Sequence, residues 1–301
     1  MQNKLIVEAP AKINLTLDVL GKRDDGYHEL ETIMHQINLF DRITLEACAQ
    51  GIMLSTNSSE IPVGQDNLAY QAALVILQEY GGAGVKIDIE KNIPVGAGLA
   101  GGSTDAAAVL VGINHLYGCQ LTKSQLLKLA AAIGSDVSFC LYGQYFMPYS
   151  GTLLSRGTTA LAHGRGEILS LLPARSIPNI LLVKPPFQLS TAQVYAELDL
   201  KKMEYNLRTE AFLNYWNNYD IKKASSYMFN VLESVSSKKK PEIGIIKTKM
   251  IEYGALNALM SGSGPTVFGI FQEKETALQA FSKFKEDYRE VYLISSYRRG
   301  D

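Results

Sequence analysis

Cysteine is scarce in this sequence, with three among 301 residues. Cys48, Cys119 and Cys140 are widely spaced and odd in number, which suits neither a disulfide framework nor a zinc site; free thiols in a reducing compartment are expected. An excess of charge of one sign is also missing, since 29 basic and 30 acidic residues leave a formal net charge of −1. That balance offers no polyanion-binding surface, so nucleic acid is not an expected partner. The cationic run Lys238-Lys239-Lys240 reads as a solvated loop before Pro241. No apolar run approaches the roughly 18 residues of a membrane span. Met1 to Lys4 passes straight into strand-like Leu5-Ile6-Val7, without the apolar core of a signal peptide. A cytoplasmic protein that keeps off membranes is expected. The composition is 47% hydrophobic, which makes the chain globular and long enough for about two domains.

Glycine, in contrast, is concentrated. Gly96, Gly98, Gly101 and Gly102 fall within seven positions. Before them, Val85, Ile87 and Ile89 alternate with Lys86, Asp88 and Glu90, the period of a half-buried strand. After them, an alanine-rich helical run from Ala106 stops at Gly118. Bare backbone N–H groups can approach an anion closely, and a helix N-terminus adds roughly half a positive charge. Phosphate is the expected guest. The literal G-x-G-x-x-G of Gly96 to Gly101 lacks the strand and acid that a dinucleotide site needs, because Leu121–Ile133 reads as another helix. No lysine follows Gly101 or Gly102, so the P-loop form is absent as well. A loop that served packing alone would not call for Gly-Gly-Ser-Thr at a helix start.

Several residues around this loop carry two readings each. From Lys12 to Val19, Ile13, Leu15, Leu17 and Val19 share one strand face and Lys12, Asn14, Thr16 and Asp18 the other. The polar side is either a solvated face or a ligand face. Tyr27 and His28 follow the loop Gly21–Gly26 and are either ordinary strand residues or binding groups. Asp66 caps a helix ending at Tyr80, and Thr122 with Gln125 makes a capping box for a helix stopped by Gly134. Asp136 then precedes strand-like Val137–Tyr142, where it either faces a cleft or bonds its own turn.

The Gly-, Ser- and Thr-rich run from Gly151 to Gly166, followed by Pro173 and Pro178, marks a domain boundary. Beyond it the pattern gives strands at Ile180–Val183, Leu256–Met260, Thr266–Phe271 and Val291–Ser295. Helices are expected from Ser190 or Thr191, at 208–218, 220–236, 241–253 and 274–287. A second glycine loop spans Ser261–Pro265.

Three blocks, in this order, resemble the GHMP kinases: Pro10–Asn14 (PAKIN), Pro94–Thr104 (PVGAGLAGGST) and Met260–Thr266 (MSGSGPT). Gly26–Leu30, Asp66–Leu68, Gly134–Val137 and Gly164–Glu167 are similar to a branch of that family whose acceptor is a diphosphocytidyl alcohol. The resemblance implies an α+β fold of two domains with a ligand cleft between them: an N-terminal ATP-binding domain over 1–160 and a C-terminal domain over 161–301 that contributes to the substrate site. It implies phosphoryl transfer from ATP, with Mg²⁺, to the 2-hydroxyl of diphosphocytidyl methylerythritol in the non-mevalonate route to isoprenoid precursors.

On that resemblance Pro94, Val95, Gly96, Ala97, Gly98, Leu99, Ala100, Gly101, Gly102, Ser103 and Thr104 wrap the ATP phosphates, and Asn67 stands on the adenine side. Asp136 is the catalytic carboxylate and Lys12 its partner. Tyr27, His28 and Tyr195 fall at cytidine-binding positions, Asn14 and Thr191 at other substrate contacts, and Ser103 at a metal-ligand position. Ala100 replaces a glycine common in relatives, and Asp105 places an extra anion near the triphosphate that Mg²⁺ would have to screen. The expected partner is a small molecule with a cytidine diphosphate group, and the expected state a monomer or weak homodimer. A homoserine kinase or related decarboxylase would lack the Gly-Tyr-His element, and a non-catalytic nucleotide sensor would lack Lys12 or Asp136.

Overall fold

The computed structural model describes residues 4–143, 152–153, 157–200 and 208–297. Its first sheet is built on two long antiparallel strands, β1 (Lys4–Lys22) and β2 (His28–Ala47), paired from Lys4 with Glu46 to Lys22 with His28. The register shifts between Pro10 and Lys12, Asn14 and Thr16, and Val19 and Gly21. Irregularities of this kind bend a strand and re-aim its side chains, and here they surround the polar residues of β1. The path continues β3 (Gly51–Thr56), β4 (Gly84–Glu90), β2, β1, β5 (Thr152–Leu153). One end of β2 pairs with β4 and the other with β6 (Thr159–His163), which pairs in turn with β7 (Ile168–Leu171).

Three helices pack on this sheet, α1 (Leu68–Tyr80), α2 (Gly101–Leu116) and α4 (Ser135–Gly143), and α3 (Lys123–Ile133) packs on them. Their apolar faces meet the strands in one core that includes Val7, Leu45, Ile76, Val109 and Leu110. The second sheet runs β10 (Asn257–Met260), β11 (Val267–Phe271), β8 (Asn179–Lys184), β12 (Glu290–Ile294), and every residue of β8 is buried, as its unbroken apolar run requires. Around it stand α5 (Thr191–Ala196), α6 (Arg208–Asn217), α7 (Ile221–Ser226), α8 (Glu233–Lys239), α9 (Glu242–Glu252) and α10 (Lys274–Asp287). The short β9 (Phe229–Asn230) crosses to pair with Thr16 and Leu17 of β1, tying the second half of the chain to the first sheet.

Several sequence expectations change. The polar face of β1 is not solvated: Lys12 is 4% and Asn14 2% exposed. The second sheet covers Ile13 and Leu15 on one side of β1, while α4 and the glycine loop cover Lys12. Such covering is non-local and leaves no trace in a strand's own alternation. Val137–Tyr142 is helix, not strand, because a short apolar run has no period to distinguish the two. Asn67, not Asp66, caps α1, its Oδ1 accepting the Ala69 N–H at 2.8 Å. The helix expected over 220–236 is split by β9. Lys238 and Lys239 end α8, where they complement the helix dipole, and are not loop residues. The boundary expected between 160 and 161 falls inside β6, and Gly151 lies outside the described residues.

Candidate active site

A cavity of about 920 Å³ opens between the two sheets, large enough for two small substrates. The glycine loop lines one wall. It leaves β4 after Glu90 and enters α2 at Gly101 through Ala100, whose backbone is left-handed with φ 58°. Three successive carbonyls of the loop are taken from behind. Thr266 N–H reaches Ala97 O at 3.4 Å, Ser261 Oγ donates to Gly98 O at 2.9 Å, and Lys12 N–H donates to Leu99 O at 3.1 Å. Gly98 must be glycine, since a Cβ there would overlap Ser261 O, and its φ is +75°. The second glycine loop therefore holds the first. The opening N–H groups of α2 have no acceptor within their own helix and carry the positive end of its dipole, a ready anion site.

Facing this wall, Lys12 Nζ lies 3.2 Å from Asp136 Oδ2. Lys12 also donates to Asn14 Oδ1 at 2.8 Å, Asn14 Nδ2 to Thr32 Oγ1 at 2.8 Å, and Thr32 Oγ1 to Thr16 O at 2.6 Å. This chain of donors and acceptors crosses from β1 to β2 and fixes where the ammonium sits. Asp136 occupies the first turn of α4, where the helix dipole favours an anion, and its side chain remains 38% exposed to the cavity. The pair is therefore a buried, oriented cation beside an accessible carboxylate.

At the far end the rings of His28 and Tyr195 lie 5.1 Å apart, tilted by 33°. Burial, and then the nearby Lys22, push the His28 imidazole below its ordinary value, so the ring is neutral at pH 7. Burial, with Asp136 next, pushes the Tyr195 phenol up and keeps it protonated. Tyr27 is 54% exposed and stacks not on Tyr195 but under the Arg165 guanidinium, 4.8 Å from its ring centroid. Thr191 Oγ1 and Ser263 Oγ are 2.8 Å apart.

The cavity thus brings together Lys12, Asn14, Tyr27, His28, Asp136, Thr191 and Tyr195 with residues 94–103 of the loop. Two expected residues stand apart from its lining. Asn67 caps α1 with Oδ1 and donates from Nδ2 to Pro62 O at 2.7 Å, so both ends of its amide are committed. Thr104 is wholly buried and turned towards Cys140. The carboxyl of Asp105 is buried too, outside the cavity lining and 2.9 Å from the Lys91 ammonium, which it shares with Asp41, so it does not face a triphosphate in the cavity. Burial and the neighbouring Asp41 push the Asp105 carboxyl well up against the pull of Lys91. Lys22, Lys91, Arg165, Gly262 and Ser263 also line the cavity, unassigned by sequence reasoning. Arg165 belongs to the Gly164–Glu167 motif and Ser263 to Met260–Thr266, where a charge and a hydroxyl are the available signal.

Comparison with known proteins identifies the family. The family model for the GHMP kinases N terminal domain matches residues 67–144, and that for the GHMP kinases C terminal matches residues 212–290. The chain is 59% identical to a 4-diphosphocytidyl-2-C-methyl-D-erythritol kinase of Syntrophomonas wolfei, covering 99% of this chain and 100% of that protein. A protein of the same name from Alkaliphilus metalliredigens is 44% identical, with 97% of each chain covered. Among solved structures, a 4-(cytidine 5'-diphospho)-2C-methyl-D-erythritol kinase superposes with a TM-score of 0.79 at 32% identity, covering 97% of this chain and 98% of that one. A homoserine kinase from Cytophaga hutchinsonii shares the fold, with a TM-score of 0.75 at 20% identity over 99% and 96% of the two chains. The chain belongs to the GHMP kinases and, within them, to the 4-diphosphocytidyl-2-C-methyl-D-erythritol kinases.

Proposed function

We infer that the protein transfers the γ-phosphoryl group of ATP to the 2-hydroxyl of 4-diphosphocytidyl-2-C-methyl-D-erythritol, a step in non-mevalonate isoprenoid precursor biosynthesis. The observation that carries this reading is the Lys12–Asp136 pair, 3.2 Å apart, in one cavity with a glycine loop that opens a helix. Phosphoryl transfer needs positioning and charge neutralisation more than covalent help. Residues 94–103 wrap the triphosphate, which the α2 dipole and the backbone N–H groups after Pro94 receive. Asp136 accepts the hydroxyl proton as the oxygen attacks, and Lys12, steadied by Asn14, balances the negative charge on the transferring group. Tyr195, His28 and Tyr27 hold the cytosine, with the neutral His28 ring reading its edge by hydrogen bonds. Thr191 and Asn14 are further substrate contacts.

Among the described residues no three His, Cys, Asp or Glu side chains cluster closely enough to hold a metal by themselves. A hydroxyl and a carboxylate, Ser103 and Asp136, do share the cavity, which suits Mg²⁺ arriving on the nucleotide with its own waters. Ser103 would hold it there, and it would supply charge neutralisation at the β- and γ-phosphates. Asn67 stands on the adenine side and Thr104 at the end of the phosphate loop, both just outside the cavity lining.

No helix among the described residues is long and apolar enough to cross a membrane, and we place the reaction in the cytoplasm, with the chain a monomer or weak homodimer. An N-terminal ATP-binding unit and a C-terminal unit built on the second sheet divide beyond β7. ADP release measured across the diphosphocytidyl alcohol, mevalonate, homoserine and galactose tests the activity. Turnover restricted to any of the last three overturns it.

A further inference from the structure

Lys91 stands between β4 and the glycine loop, yet its side chain is only 5% exposed and brings its nitrogen beside Gly101 at the start of α2. Its ammonium pairs with Asp41 of β2 and with Asp105 Oδ2 of α2, the latter at 2.9 Å. Asp41 uses its other oxygen to accept the N–H groups of Asn92 at 2.6 Å and Ile93 at 2.8 Å. Asn57 Oδ1 accepts the N–H of Lys91 itself at 2.8 Å. The strand exit and the helix entry, the two ends of the loop, therefore converge on one ammonium. A Cβ on Gly101 would stand 2.8 Å from that nitrogen, so glycine at 101 makes room for the lysine and not only for a phosphate.

A buried ammonium with two carboxylates is costly where apolar side chains would pack as well. Lys91 lines the cavity, but two of its three donors are taken by carboxylates, which leaves at most one for a phosphate. A loop with four glycines is soft, and fixing both its ends lowers the ordering cost of binding. We propose that Lys91 is the positioning residue of the glycine loop: bridged between Asp41 and Asp105, it sets the span between the loop's ends and so the geometry that receives the triphosphate.

The proposal rests on the ATP reading, so the wild-type protein is first titrated by calorimetry with a non-hydrolysable ATP analogue. Failure to bind at that stage removes the ATP reading itself. Lys91→Met, Asp105→Leu and the double variant then follow. Each single change should weaken the analogue and raise KM for ATP about tenfold, with KM for the diphosphocytidyl substrate within about twofold, and the double variant should be no worse than either single one because all cut the same bridge. Asp105→Leu separates the readings, because it leaves Lys91 its Asp41 partner. If the ammonium were a direct phosphate ligand, Asp105→Leu would leave nucleotide affinity unchanged or tighter, which overturns the proposal. A lowered melting temperature with unaltered nucleotide affinity overturns it as well. Should Lys91→Met fail to fold, Asp105→Asn, which keeps an oxygen for the ammonium, should restore most of the affinity that Asp105→Leu loses. Equal behaviour of Asn and Leu at 105 is incompatible with a bridge.

Discussion

Asp136 takes its aim from a neighbour, not from its own turn, and this shapes what single substitutions should do. Asp136→Asn is expected to lower kcat by about 10²–10⁴-fold, the range for loss of a general base, with much smaller changes in either KM. Lys12→Met should also lower kcat, since it removes charge stabilisation and the 3.2 Å partner together. Steady-state kinetics with both substrates checks this, and near-normal kcat at Asp136→Asn would remove that residue from the mechanism. The two tyrosines should part company. Tyr195 is partly buried against His28, whereas Tyr27 is 54% exposed. Each change to alanine should raise KM for the cytidine substrate by about an order of magnitude, as for loss of a stacked base, but only Tyr195→Ala should also lower the melting temperature.

His28 adds a pH signature. Its folded value is depressed below 6.5, so its neutral form contributes stability fully above that pH, and the contribution is lost as pH falls from 6.5 towards the folded value. Melting curves of wild type and His28→Gln, compared across pH 5–8, should converge on the acid side. Parallel curves would show that the imidazole does not titrate differently on folding.

At the scale of elements, the glycine loop holds one strained residue and one glycine with no room for a side chain. Ala100 is left-handed, a conformation that costs a side-chain-bearing residue roughly 1 kcal/mol. Ala100→Gly should therefore raise stability by up to about 1 kcal/mol, the gain being trimmed by the greater freedom of glycine in the unfolded chain. Gly101→Val should do the opposite, costing about 1–3 kcal/mol by overpacking against Lys91 and Ile93 and weakening the ATP analogue as well. Chemical denaturation with analogue titration reads both. A Gly101→Val protein of full stability with lost nucleotide binding would mean that the side chain points into the cavity after all.

The sequence made this loop, its flanking strand and helix, and the Thr122–Gln125 capping box legible, because each is set by neighbours in the chain. Lys12, Asp136, Tyr27, His28 and Tyr195 were legible as site candidates only through resemblance, since their partners lie far along the chain. The burial of Lys12 and Asn14 was hidden for the same reason, and the helix around Asp136 because its short apolar run has no period. Lys91 shows the gap most plainly. It sits beside the loop in sequence, but its meaning depends on Asp41, 50 residues earlier.

At the scale of the whole molecule, the glycine loop is held in place by both halves of the chain. Gly98 O waits for Ser261, 163 residues later. During synthesis at about 5–20 residues per second, the first half emerges with its glycine loop roughly ten to thirty seconds before the clasp that completes it. A nascent chain stalled near residue 240 should accordingly fail to retain an ATP analogue, while one extended by a linker past Tyr297 should retain it. Filter binding on purified ribosome complexes makes the comparison. The half-made protein would then pass through a pool of cellular ATP without sequestering it, and the kinase would acquire its nucleotide only once its second half had been made.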